Sequence, residues 1–535
     1  MNTEKLPGRI EDMRAKIEKD AKSSGLDPFD TVFYIVNYGD MNQLISYEGF
    51  PRRYPHWTHG MKSIMYENQY RYGLAKFFEL VINTDYCNAF LLKNNSDVMQ
   101  RFVISHVYGH SDFFKNNFWF RKTNRDMLMD MTRNAERIEY YERKYGKEQV
   151  ESFLDRALTF DNLIDPYSPF KATDFESLES RIKEKEDGFE KPKPIETGDP
   201  YVDKMLNTPE RYEKEMKRIS AERKKREGFP RKPQKDVLKF LIDNSKYSNP
   251  NLKDWKIDIL RMMREEAYYF AAQRMTKIMN EGWASYWHHH LMAEKGHAGD
   301  EGIFEFSKVH SSVVSPKQEP GPINPYSLGL CLFRWIEERW DKGRHGVDYG
   351  ACDNFAQLED WDTGDMKGQE KIFHVRKYYN DILFINEFMD QEFCNEFKLF
   401  KYGQDEMGRI IIVSKDANLI KKEIISQIYN GGEPLISVKD GNYENKGELL
   451  LYHDFYFNWR MLDMDKSLPV LRNIRHLWGR DVSIETRIPD GEDGKSARKL
   501  VILCTESTFV GKLYDGEGKE IGKKEFSALE DLTWP

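Results

Sequence analysis

The chain has 535 residues, 39% hydrophobic and 14% aromatic, which is enough for two or three domains with substantial cores and argues against disorder throughout. Its formal net charge of −8 is small for this length and gives no electrostatic case for wrapping nucleic acid or lying on an anionic membrane. Residues 1–20 alternate charges without an apolar signal core, and no stretch reaches the ~18 uncharged apolar residues of a membrane span, so a cytoplasmic protein is expected. Cys87, Cys331, Cys352, Cys394 and Cys504 are scattered with no Cys-x-x-Cys pair, which predicts reduced, mostly buried thiols rather than a disulfide framework or a thiolate zinc knuckle.

From Pro28 to about Asn117 the pattern is helical and aromatic-rich. Apolar residues recur at helical spacing over Ile64 to Val81, and Asn95-Ser96-Asp97 offers a helix start before Val98 to His110. Between about 187 and 235, six prolines punctuate a strongly charged stretch that reads as a surface excursion. Its run Arg223-Lys224-Lys225-Arg226 is interleaved with Glu213, Glu215, Glu222 and Glu227, which fits a solvated charged helix better than a nucleic-acid contact. Lys256 to Ala293 predicts a long helix, broken or kinked near Gly282, with aromatics that require a deep core. After the loop 315–322, Leu330 to Lys342 predicts another amphipathic helix. Near Lys371 the style changes. Short strand-like runs follow at Arg409 to Ser414, Leu435 to Lys439, Glu448 to Tyr452, Val482 to Arg487 and Lys499 to Cys504, separated by turn signals such as Asp440-Gly441-Asn442. Gly491 to Ser496 ends in Gly-Lys-Ser, but Pro489 stands where a phosphate loop has its first glycine, which removes that reading. The expectation is a mainly α N-terminal domain over 1–370, carrying the excursion, and an α+β C-terminal domain over 371–535.

Two segments carry candidate chemistry. In Ser105-His106-Val107-Tyr108-Gly109-His110-Ser111-Asp112, the histidines stand one helical turn apart on one face, so both imidazoles can grip one cation. In Asn280-Glu281-Gly282-Trp283-Ala284-Ser285-Tyr286-Trp287-His288, Glu281 and His288 share a face through their i, i+7 spacing. Together they predict a zincin-like helical core in which His106, His110 and Glu281 bind Zn²⁺ or another divalent metal, with a coordination position left open. The alternative is that the two histidines satisfy buried hydrogen bonds. Asp112 is expected to orient a ligating imidazole. Val107 occupies the position of the general-base glutamate of His-Glu-x-x-His, so a base must come from Glu67, Glu79, Glu266 or His288, or the site is inactive. Of His288-His289-His290, successive positions point about 100° apart, so only one joins a given site, and His288 is favoured. His56 and His59, in Tyr54-Pro55-His56-Trp57-Thr58-His59-Gly60, either line a pocket or decorate a surface loop.

Several of these stretches, in order along nearly the whole chain, resemble the stage V sporulation protein R (SpoVR) family. They are Tyr54 to Gly60, Tyr66 to Leu74, His106 to Asn117, Asn280 to Ala284, Ile323 to Gly329 and Tyr378 to Met389. The family takes its name from a role in making the spore cortex but also occurs in bacteria that form no spores. The resemblance therefore implies a bacterial cytoplasmic protein, with a PrkA-type serine kinase and a von Willebrand factor A-like protein as partners. It assigns no reaction. The expected activity is a metal-dependent hydrolase acting on amides of peptides or cell-wall precursors. The alternative is a non-catalytic regulatory or scaffold protein working with that kinase.

Overall fold

The computed structural model describes residues 6–71, 79–84, 86–171, 207–227, 229–230, 232–314, 323–405, 407–490 and 496–526, with backbone alone at 69–71, 79, 219–227 and 355. Residues 172–206, which take in the first part of the charged excursion, the side chains of Glu79 and of Arg223 to Arg226, the loop 315–322 and residues 491–495 lie outside the described residues. The chain divides into two units, each built from two stretches: Met1–Lys147 with Tyr268–Gly432, and Glu148–Ala267 with Glu433–Pro535. Residue 370, where the change of style was expected, falls inside the first unit. The N-terminal region is mainly helical and the C-terminal region contains the large sheet.

Helices of eight or more residues are labelled in chain order. They begin α1 (Gly8–Ser23), α2 (Tyr38–Ser46), α3 (Trp57–Arg71), α4 (Asp97–Asn116), α5 (Met127–Tyr145), α6 (Lys147–Ala157), α7 (Pro209–Glu227), α8 (Val237–Ser248) and α9 (Asp254–Met275). Then follow α10 (Lys277–His289), α11 (Ile303–Val314), α12 (Pro325–Asp341), α13 (Gly368–Tyr378), α14 (Asp381–Phe388), α15 (Ala417–Ile428) and α16 (Met464–Trp478).

In the first unit, Ser96 caps α4 as expected, its hydroxyl accepting from the Met99 amide at 3.2 Å. The all-helical reading of 28–117 is corrected by a three-stranded sheet: β1 (Thr31–Val36) runs parallel to β3 (Cys87–Leu92), which pairs antiparallel with β2 (Glu79–Ile82). These runs are four to six residues long, too short for periodicity to separate strand from helix; the Val, Phe, Tyr and Ile content of β1 was the available signal. Correspondingly, α3 ends at Arg71 and Val81 belongs to β2, not to a helix from Ile64.

The break expected near Gly282 lies instead at Thr276 (φ −131°), between α9 and α10. Gly282 sits within α10, where a Cβ would fall onto the backbone of Gly329 in α12. On the other side of α10, a Cβ at Gly109 of α4 would stand 2.7 Å from the Cα of Ala284. Glycine at these two positions lets α4, α10 and α12 approach closely. Trp283, Trp287, Phe113 and Phe333 fill the buried core around them. The hairpin of β4 (Lys401–Gln404) and β5 (Ile410–Ser414) completes the strands of this unit among the described residues.

The second unit holds a six-stranded sheet in the order β11-β10-β9-β8-β7-β6, from β6 (Ile436–Tyr443), β7 (Glu448–His453), β8 (Val482–Asp490), β9 (Ser496–Cys504), β10 (Phe509–Tyr514) and β11 (Glu520–Phe526). β7 and β8 are parallel, with α16 between them in the chain; the other pairs are antiparallel. Asp440-Gly441-Asn442 does not turn the chain but lies within β6, where the register shifts; the reversal uses Glu444, Asn445 and Gly447 at positive φ. β10 and β11, rich in Gly and Lys, were missed. The five cysteines are free thiols, Cys87, Cys394 and Cys504 being buried.

Candidate metal centre

α4 and α10 cross where Gly109 meets Ala284, which brings His106 and His110 against Glu281. All three side chains are buried. Their ligand atoms lie within 4.8 Å of one another, and this is the group of that kind among the described residues. Glu281 Oε2 is 3.5 Å from His106 Nε2 and 3.4 Å from His110 Nε2. Two ligands held at about 2.05 Å by a tetrahedral ion stand roughly 3.3 Å apart, so the spacing already matches shared coordination.

The hydrogen-bond pattern sharpens this fit. Asn280 Oδ1, an acceptor, meets His110 Nδ1 at 2.9 Å, so Nδ1 carries the proton and the Nε2 lone pair is the one that faces Glu281. Glu281 Oε2 is buried and makes no hydrogen bond. A carboxylate oxygen and an imidazole lone pair thus face each other at 3.4 Å in a desolvated place, an arrangement that repels unless a cation lies between them. The other oxygen, Oε1, accepts from Lys277, one turn earlier in α10. Burial alone would raise the Glu281 carboxyl, but Lys277 beside Oε1 holds it well below the usual range, ready as an anionic ligand. Phe102 stacks on His106 and Phe114 on His110, walling the group with apolar rings, and Tyr326 also stacks on His106.

The remaining expected residues stand elsewhere. His288 is fully buried behind His106, its Nδ1 2.9 Å from His106 Nδ1 and its Nε2 2.7 Å from His310 Nδ1. With both nitrogens engaged, it supports His106 and does not face the Glu281 side. Asp112 orients no imidazole. Its carboxylate accepts from Trp283 Nε1 and the Asp27 amide, each at 2.8 Å, and lies 3.4 Å from Arg376 Nη1, tying α10, α13 and the chain after α1 to α4. Glu67 is half-buried on α3, outside the three-residue group. Glu266 is buried on α9. His56 and His59 are buried too, at and just inside the start of α3, with His59 Nδ1 3.2 Å from the Ser46 carbonyl, so they are not surface decoration.

Sequence reasoning missed Asn280, Lys277 and His310. Asn280 was visible as the neighbour of Glu281, and Lys277 as its i−4 partner. Nothing in the sequence of α11 distinguishes His310.

No described helix is long and apolar enough to cross a membrane. No solved structure matches the chain. It is 28% identical over 501 residues to the protein YcgB of Escherichia coli (strain K12), covering 89% of this chain and 91% of that one. The model of the SpoVR-like protein family matches residues 4–433, which takes in the whole described site and ends where the second stretch of the sheet-bearing unit begins. The chain belongs to the SpoVR-like protein family.

Proposed function

We propose that His106, His110 and Glu281 hold one divalent cation, Zn²⁺ or a similar ion, and that the protein is a metal-dependent hydrolase acting on an amide of a peptide or cell-wall precursor. The observation that carries this reading is the buried Glu281 Oε2, without a hydrogen bond, set 3.4 Å from the His110 lone pair. Two imidazoles and one carboxylate leave a coordination position open, the mark of a catalytic rather than a structural site. Bound there, such an ion polarises a carbonyl and makes water a better nucleophile at neutral pH. The chain's own contribution is positional: Asn280 fixes the tautomer of His110, Lys277 steadies Glu281, and Phe102 and Phe114 exclude water. Both nitrogens of His288 are turned to other rings, so the general base of this reading is a carboxylate, and Glu67 on α3 is the one proposed from the sequence.

Elemental analysis of the purified protein beside His106→Ala/His110→Ala tests the site. About one equivalent of metal in the parent and none in the folded variant is expected. A parent that neither contains nor takes up zinc removes the hydrolase reading.

Val107, buried in the core where a glutamate base would stand, favours a second reading. In it the metal centre is structural and the protein is a cytoplasmic regulatory partner of a PrkA-type kinase and a von Willebrand factor A-like protein. Zinc-loaded parent that cleaves no peptide amide, with Glu67→Gln indistinguishable from it, would favour that reading.

A further inference from the structure

Three imidazoles from three helices stand in line behind the candidate metal position: His106 on α4, His288 on α10 and His310 on α11. The contacts are Nδ1 to Nδ1 at 2.9 Å and Nε2 to Nδ1 at 2.7 Å. Phe102 lies 4.4 Å from the His288 ring, and Phe306 stacks on His310 at 5.4 Å, so the line runs between apolar walls. His288 is fully buried and His310 half-buried, which makes His310 the member nearest solvent. A neutral imidazole carries one N–H and one lone pair.

With one N–H per ring, the two N···N contacts can be filled in two ways that run in opposite directions. In the first, His106 Nδ1–H donates to His288 and His288 Nε2–H donates to His310, leaving a lone pair on His106 Nε2, toward Glu281. In the second, His310 Nδ1–H donates to His288 and His288 Nδ1–H donates to His106, which leaves a proton on His106 Nε2 and closes that nitrogen to a cation. We propose that His310, acting through His288, is a positioning residue that sets which nitrogen of His106 faces the metal position, and that the two directions correspond to metal-bound and metal-free protein.

Interchange is balanced in protons. One passes from His310 Nδ1 to His288 Nε2 and one from His288 Nδ1 to His106 Nδ1. The proton on His106 Nε2 leaves to solvent as the cation arrives, and His310 Nε2 takes one from solvent. The metal-bound half of this inference rests on the zinc reading above; the coupling of His310 to His106 does not.

The test is ¹⁵N-imidazole NMR of histidine-labelled full-length protein, without metal and with one equivalent of Zn²⁺, together with zinc affinity by chelator competition. His310→Glu offers an acceptor only and fixes the first direction; His310→Phe keeps the stack on Phe306 and cuts the line. In metal-free His310→Glu, His106 is expected in the Nδ1–H form, unlike the metal-free parent, with zinc bound at least as tightly as by the parent. His310→Phe is expected to bind zinc about 10–100-fold more weakly. The proposal is overturned if His106 shows the same tautomer in metal-free parent and His310→Glu, or if both variants bind zinc alike. Should His310→Phe not fold, the His310→Glu tautomer decides. A parent that takes up no zinc sinks the zinc reading, and the metal-free comparison still decides the coupling.

Discussion

Asp381 shows how a single buried group holds the candidate centre in place. Its carboxylate accepts from the amides of Ile278 and Met279 at 2.9 and 2.8 Å, satisfying the otherwise orphaned first turn of α10 just ahead of Glu281. Burial pushes this carboxyl up to about 7, against those same amides, which favour its charge. The unfolded chain releases the proton near pH 4, so between about pH 4 and 7 the folded state holds a proton that the unfolded state does not, and stability falls as pH rises through that window. Asp381→Asn removes the titration while keeping the shape. The thermal midpoint of the parent is expected to drop more steeply from pH 5 to pH 8 than that of the variant; parallel pH profiles would show that Asp381 ionises freely in the fold. At the same scale, legibility in the sequence was uneven for a geometric reason. His106, His110 and Glu281 were readable because helical spacing relates residues within one segment. Asp112 was misjudged because two helical steps turn it about 200° from His110, onto the side of Trp283 and Arg376. His310 arrives from a third helix with no spacing relation to either segment.

At the scale of elements, close helix approach decides whether the candidate ligands meet. Gly282 packs on the backbone of Gly329 with no room for a methyl group, whereas Gly60, exposed in α3, has nothing within 4 Å of where its Cβ would be. Gly282→Ala must therefore push α10 and α12 apart and is expected to cost about 3 kcal/mol or more, with zinc uptake reduced alongside. Gly60→Ala is expected to be neutral or to stabilise by about 0.5–1 kcal/mol, because alanine is the better helix former. Denaturant midpoints of the two variants check both; a Gly282→Ala midpoint at or above that of the parent would mean the helices are not held at this distance. The same glycine marks where sequence reading ran out. A mid-helix glycine reads as a break, and only the opposing Gly329 reveals it as a contact. The cap of α4 was legible, since Ser96 acts on an amide three residues away, whereas the helix expected from Leu330 begins five residues earlier, behind Asn324, whose Oδ1 accepts from the Tyr326 and Ser327 amides. Strand β1 was not legible, because its pairing with β3 is set by residues some fifty positions apart.

Across the whole molecule, chain order and spatial units disagree. The stretch Glu148–Ala267 belongs with the C-terminal sheet, yet it separates the α4 segment from the α10 segment in the chain. A change of local periodicity, the signal behind a boundary near 370, cannot report this, since contacts between distant stretches define the units. The consequence is that His106 and His110 lie before the charged excursion and Glu281 after it, so the candidate centre depends on packing, not on chain continuity. Trypsin is expected to cut first between Asp187 and Lys235, where Lys and Arg are dense; on α7, described side chains such as Lys217 are exposed. The two fragments, one carrying α4 and the other α10, should elute together under native conditions and retain the metal of the intact protein, because Gly109 on Ala284, Trp283 on Asp112 and the surrounding aromatic core bind them. Denaturant should separate them. Protection of 187–235 with cleavage only near Gly364 to Gly368 would overturn this organisation, and fragments that part without denaturant would show that packing alone does not hold the centre.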